Sequence, residues 1–113
     1  MVRRIRLLLT INQAAIAKVL LHREIEALIG EGLSKVSAPI KRYEELIATL
    51  NSTQRFCEVD SETLFLLETV VLKEISWTRI GRGYLSQTGT KHLLSLHEEL
   101  KFRIAQFRAM IFN

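Results

Sequence analysis

Three imidazoles, one thiol and a set of arginines are the side chains of this chain whose chemistry could amount to a site. His22, His92 and His97 form no His-x-x-x-His or Glu-x-x-His arrangement, and ligand-spaced cysteine is absent, so a dedicated metal site is not expected. A single Cys57 excludes an internal disulfide and a four-cysteine zinc site, and a reducing compartment is the simple reading. Beside Phe56 it reads as a small buried hydrophobe rather than a nucleophile, because no helix start or basic pair clearly flanks it. The neighbours Glu98 and Glu99 read as a solvated helix surface. No nucleophile, base and oxyanion hole come together in the pattern. The expectation is a chain that is not an enzyme and carries no cofactor.

Two arginine clusters could contact an anion. Arg79-Ile80-Gly81-Arg82-Gly83 has glycines and cations together, but lacks the Gly-Lys-Ser/Thr ending of a phosphate-binding loop and has no strand before it. It follows a helix, whose C-terminal carbonyls repel anions, so Arg79 and Arg82 are expected chiefly to neutralise that pole. Arg3, Arg4 and Arg6 form the second cluster. At the start of a helix each would be unfavourable by about 0.3–1 kcal/mol, which calls for a frayed start or for acids close by. Residues 13–32 superficially suit a helix-turn-helix. However, Leu21 stands at the turn, and the reading helix would present Glu24 and Glu26 to phosphates, so one unbroken helix fits better.

The charges are sorted along the chain. Residues 1–23 hold five basic and no acidic side chains, residues 24–78 five basic and ten acidic, and residues 79–113 six basic and two acidic. Near-cancellation between the first two segments suggests that the basic N-terminal end folds onto the acidic middle instead of serving a polyanion. The 113 residues, 48 % of them apolar and 25 % charged, describe one folded domain over residues 1–113 with room for a core. Leu7-Leu8-Leu9 after the arginines resembles a signal start only briefly. Asn12, Gln13 and Lys18 break the run, so neither secretion nor a membrane span is expected. A cytoplasmic location follows, with a mitochondrial presequence as the alternative because no acid precedes Glu24.

One Pro and five Gly leave long stretches without breakers, and the fold class read from them is all-α, a compact bundle of about four helices. The first helix is expected from about Ile5 to Ile29, with Leu7, Ile11, Ala14, Lys18, Leu21, Ile25 and Leu28 on one face and Gly30 and Gly32 ending it. Ser37 and Pro39 open the second, whose stripe is Val36, Ile40, Tyr43, Ile47 and Leu50. Asp60 caps the third, with Val59 and Leu64 as a hydrophobic staple. Leu64, Phe65, Leu66, Leu67, Val70, Val71, Leu72 and Ile75 make that third helix apolar almost all round, hence central. The fourth runs from about Thr90 to Phe112 with the seam Leu93, His97, Leu100, Ile104, Phe107 and Ile111.

More apolar surface is present than four short helices readily hide. The function expected is therefore a non-catalytic protein-interaction module: an adaptor, a small assembly subunit or a secretion-type chaperone. It would bind a protein partner, itself included, through Leu100, Ile104, Phe107 and Ile111. The alternatives are a nucleic-acid-binding subunit using its basic ends and a small mitochondrial assembly factor.

Overall fold

The computed structural model describes residues 4–52 and 56–112. In chain order it contains a strand β1 (Arg4–Leu8), helices α1 (Ile11–Gly30) and α2 (Ala38–Ser52), a strand β2 (Phe56–Asp60), and helices α3 (Ser61–Arg79) and α4 (Gln87–Phe112). Four helices make a compact bundle, and the two short strands pair antiparallel beside it. No helix among the described residues is long and apolar enough to cross a membrane.

The chain before Thr10 is a strand, where the expected first helix began at Ile5. Arg4-Ile5-Arg6-Leu7 alternates polar and apolar residues, and alternation selects a strand once a partner exists. Ile5 and Leu7 enter the core while Arg4, Arg6 and Leu8 face outward. The register places Arg4 opposite Asp60 and Arg6 opposite Glu58. Arg6 and Glu58 approach to 4.0 Å, with both side chains more than half exposed. Such pairs add little stability, but like charges at these positions would repel, so they favour this register. The strand also takes Arg4 and Arg6 away from the positive pole of α1.

Thr10 then starts α1 with a capping box. Its hydroxyl accepts from the Gln13 amide at 3.0 Å, and the Gln13 side chain accepts from the Thr10 amide at 2.9 Å. Gln13 is itself buried and reaches Ser95 of α4 at 2.5 Å. The buried face of α1 is Gln13, Ala17, Leu20, Leu21 and Glu24. It is rotated from the expected stripe, leaving Ile11 84 % exposed and Lys18 bonded at its surface to Asn51. Small Ala17 at the centre of this face lets other helices close on α1, which packs against all three of them.

The third helix is the buried one foreseen, with Leu64, Leu67, Val70, Val71, Glu74 and Ile75 inside. Its flanks are open: Leu72 is 41 % exposed. Asp60 is its N-cap, accepting from the Thr63 amide at 2.7 Å, and Val59 and Leu64 are both buried as a staple requires. Glu99 is not the solvated surface residue expected. Its carboxylate accepts from the Leu8 amide at 3.0 Å and from Arg103 at 3.1 Å, holding the β1 edge to α4.

Two outcomes test this packing. Leu67→Ala, at a position 1 % exposed, should cost about 2–5 kcal/mol in urea unfolding. The Thr63 hydrogen bonds, and then nearby Arg4 and Arg42, hold the Asp60 carboxyl below its ordinary value of 3.8. A depressed carboxyl contributes stability above its unfolded pKa and loses it as pH falls through the folded value. Wild-type stability should therefore drop more steeply below about pH 4 than that of Asp60→Asn, which keeps a cap without the titration.

Candidate functional site

Glu74 is the centre of the most organised polar structure in the fold. It lies on the apolar face of α3 and is fully buried. An ionised carboxylate in that position costs several kcal/mol unless it is paired and hydrogen-bonded. Both conditions are met: Arg23 of α1 pairs with one oxygen, and the other accepts from the backbone amides of Tyr84 and Leu85 at 2.6 and 3.2 Å. One side chain on α3 thereby ties the α3–α4 connection to α1. Beside it, Glu24 is nearly buried, with Lys73 at 3.1 Å and Arg23 at 3.5 Å. Burial first, and the Glu24 charge second, raise the Tyr43 phenol above its ordinary value, so that side chain remains a neutral hydroxyl.

The connection is shaped by its own backbone. Gly81 has φ of 75°, its amide donates to the Thr78 carbonyl at 3.1 Å, and the Arg82 amide donates to the Trp77 carbonyl at 2.9 Å. These paired bonds close α3 in a Schellman motif, which turns the chain sharply back. Gly83 then lies against the helix it has just left. A Cβ there would sit 2.6 Å from Thr78 Oγ1 and 3.3 Å from Glu74 Oε2, so a larger residue would have to displace the Thr78 hydroxyl or the loop that carries the Tyr84 and Leu85 amides.

A cleft of about 430 Å³ opens over this lock. Arg23, Glu24 and Ala27 form its α1 wall, Lys73 and Trp77 its α3 wall, and Arg82, Gly83 and Tyr84 its rim. Trp77 is 39 % and Tyr84 64 % exposed, while the Arg23 guanidinium lies 5.7 Å from the centre of the Tyr84 ring. That cation–π contact braces the ring from beneath. Arg82 is exposed and has no ion-pair partner among the described residues. A smaller cleft of about 240 Å³, at Pro39, Tyr43 and Leu66, has a mostly apolar wall with Arg42 as its charged group.

The residues singled out from sequence fall in different places. Arg82 lines the cleft, and Arg79 is exposed in the last turn of α3. Arg4 and Arg6 face the acidic strand β2, and Arg3 lies outside the described residues. Leu100 and Ile104 are inside the core, at 0 and 4 % exposure, because α4 turns that seam toward α3 and α1. They cannot anchor a partner in this fold. Phe107 is half-buried, its ring edge-to-face with Phe65 at 6.1 Å, and Ile111 is 48 % exposed. Cys57 is in β2, but its side chain lies outside what is described.

Sequence reasoning missed Arg23, Glu74, Trp77 and Tyr84. A signal for Glu74 existed, since it stands seven residues beyond Leu67 on the same helical face. No family model, curated protein or solved structure matches the chain.

Removing Glu74 leaves Arg23 and two amides without their acceptor. Glu74→Ala should cost about 3–5 kcal/mol in denaturant unfolding. Gly83→Ala should lower stability less and alter the Trp77 emission spectrum, reporting displacement of the loop.

Proposed function

We propose that this chain is a non-catalytic protein-interaction module whose docking surface is the cleft at Arg23, Lys73, Trp77, Arg82 and Tyr84. The observation that carries this reading is the exposure of a Trp, a Tyr and an Arg around one concavity on a fixed frame. These three residue types dominate the energetics of protein interfaces. Two aromatic rings supply large contact area at little entropic cost, and the Glu74 lock has already ordered the segment that presents Tyr84. A nucleic-acid role draws less support. Arg4 and Arg6 lie across from Asp60 and Glu58, which offsets the basic strand with carboxylates.

Self-association is a second reading with its own observation. The α4 seam that is buried at Leu93, Leu100 and Ile104 continues through half-buried Phe107 to exposed Ile111, with Met110 49 % exposed beside it. A second copy laid against that end would extend the core by the same stripe.

Photo-crosslinkers placed at Tyr84 and, as a control, at exposed Glu45 separate the first reading from others. Protein adducts in the native cell from position 84 but not from position 45, lost on Trp77→Ala, are expected. Equal adducts at both positions, or none at 84, would contradict it. For the second reading, Ile111→Asp should reduce oligomer mass in light scattering while leaving helicity intact. A wild-type chain that is monomeric at high concentration removes that reading alone.

A further inference from the structure

The charges at the cleft are unequally accessible, and this inequality restricts what can dock. Its two carboxylates are already spent. Glu74 is fully buried against Arg23 and two amides, and the Glu24 side chain is 11 % exposed beneath Lys73. Its cations remain outward: the Lys73 side chain is 48 % exposed, and Arg82 stands on the rim. An approaching molecule thus meets positive charge and two aromatic faces, while the negative charges sit beneath. Between them, Ala27 and Gly83 supply the least bulky part of the wall, leaving room for a side chain to enter beside Trp77.

We infer that the cleft receives an acidic peptide segment of another protein, carrying an apolar anchor residue between carboxylates. The inference rests on the reading of this cleft as a docking surface and adds the chemistry of its partner. The apolar anchor would lie along Trp77 and Tyr84, excluding water from the rings. The flanking carboxylates would meet Arg82, whose planar fork suits bidentate pairing, and Lys73, whose half-exposed ammonium would be shared between the incoming carboxylate and Glu24. Two features favour a peptide over a nucleic acid. The accessible cations are few and flank two aromatic rings, whereas a phosphate backbone is tracked by a longer basic groove. Trp77 and Tyr84 also border a pocket wide enough for a side chain, with the Tyr84 ring already backed by Arg23.

Trp77 is the single tryptophan of the chain, so its fluorescence reads occupancy directly. The probe is a capped peptide with two leucines between paired aspartates. Its counterparts carry asparagine, or lysine, in place of aspartate, and a single-stranded RNA oligonucleotide is titrated in parallel. A saturable shift of Trp77 emission with the aspartate peptide is expected. Added salt should weaken it several-fold, Arg82→Glu should weaken it further, and Arg82→Lys, which keeps the charge but loses the bidentate fork, should fall between wild type and Arg82→Glu. Circular dichroism melting of both variants, whose side chain lies at an exposed loop position, controls for folding.

Equal binding of the asparagine peptide would overturn acidic recognition while leaving the docking surface in place. Tighter binding of the lysine peptide would overturn it as well. A response to RNA alone would overturn both the inference and the reading beneath it. If no peptide moves Trp77 emission, the inference fails, and the crosslinks at position 84 decide whether the docking surface survives: adducts there preserve it, and their absence removes it too.

Discussion

A carboxylate in the middle of an apolar core is the constraint around which this fold is arranged. Glu74 occupies a position where its helical neighbours are Leu67, Val70, Val71 and Ile75, all buried. Its charge can remain there only while Arg23 and the Tyr84 and Leu85 amides surround it. Each of those partners belongs to a different stretch of chain from α3, so satisfying the carboxylate fixes tertiary structure. The spacing between α1 and α3, the path of the connection and the start of α4 are all tied to one side chain. Hydrophobic burial supplies most of the stability of such a bundle, but it is non-directional. The carboxylate adds a directional requirement that apolar packing lacks.

The same requirement builds the cleft. A connection free to move would carry Tyr84 and Arg82 with it and would lose entropy on binding. Here the Schellman turn at Gly81 and the close approach of Gly83 set the loop against α3, and the carboxylate holds it there. Trp77 precedes the turn, while Arg82 and Tyr84 follow it, so reversal of the chain brings the three together. Stability and presentation of the surface share one set of contacts. Changes at Glu74 therefore act on both, whereas the Arg82 side chain is exposed and makes no ion pair among the described residues.

Much of the architecture was readable from sequence. The cap at Asp60 and the apolar stripes marked α2 to α4 as helices, and Ile40, Ile47, Leu50, Leu64, Leu67, Leu93, Leu100 and Ile104 are buried as their stripes require, whereas Val36, Leu72 and Ile111 are exposed. The first strand is ambiguous in sequence because Arg4 to Leu7 alternates polar and apolar residues while Leu7 also begins a helical stripe. Only the distant partner Phe56–Asp60 decides between them. Thr10 and Gln13 spelled out a capping box that would have placed the start of α1 correctly. Leu100 and Ile104 were identified as apolar seam residues, but a seam looks the same in sequence whether it faces a neighbouring helix or a second molecule. The site was hidden for another reason. Arg23 and Glu74 are fifty-one residues apart, and nothing local to either reveals the other.

Hydrogen exchange of the backbone amides tests the central claim most directly. With Glu74 accepting from them, the Tyr84 and Leu85 amides should exchange slowly, in step with amides in the middle of α3, although both lie in a loop and Tyr84 is largely exposed. In Glu74→Gln, where the charge is gone but the shape is kept, that protection should fall before the core of α3 loses its own. Rapid exchange of these two amides in the wild-type protein, at the rate of an unprotected exposed loop, would contradict the carboxylate lock and with it the fixed cleft.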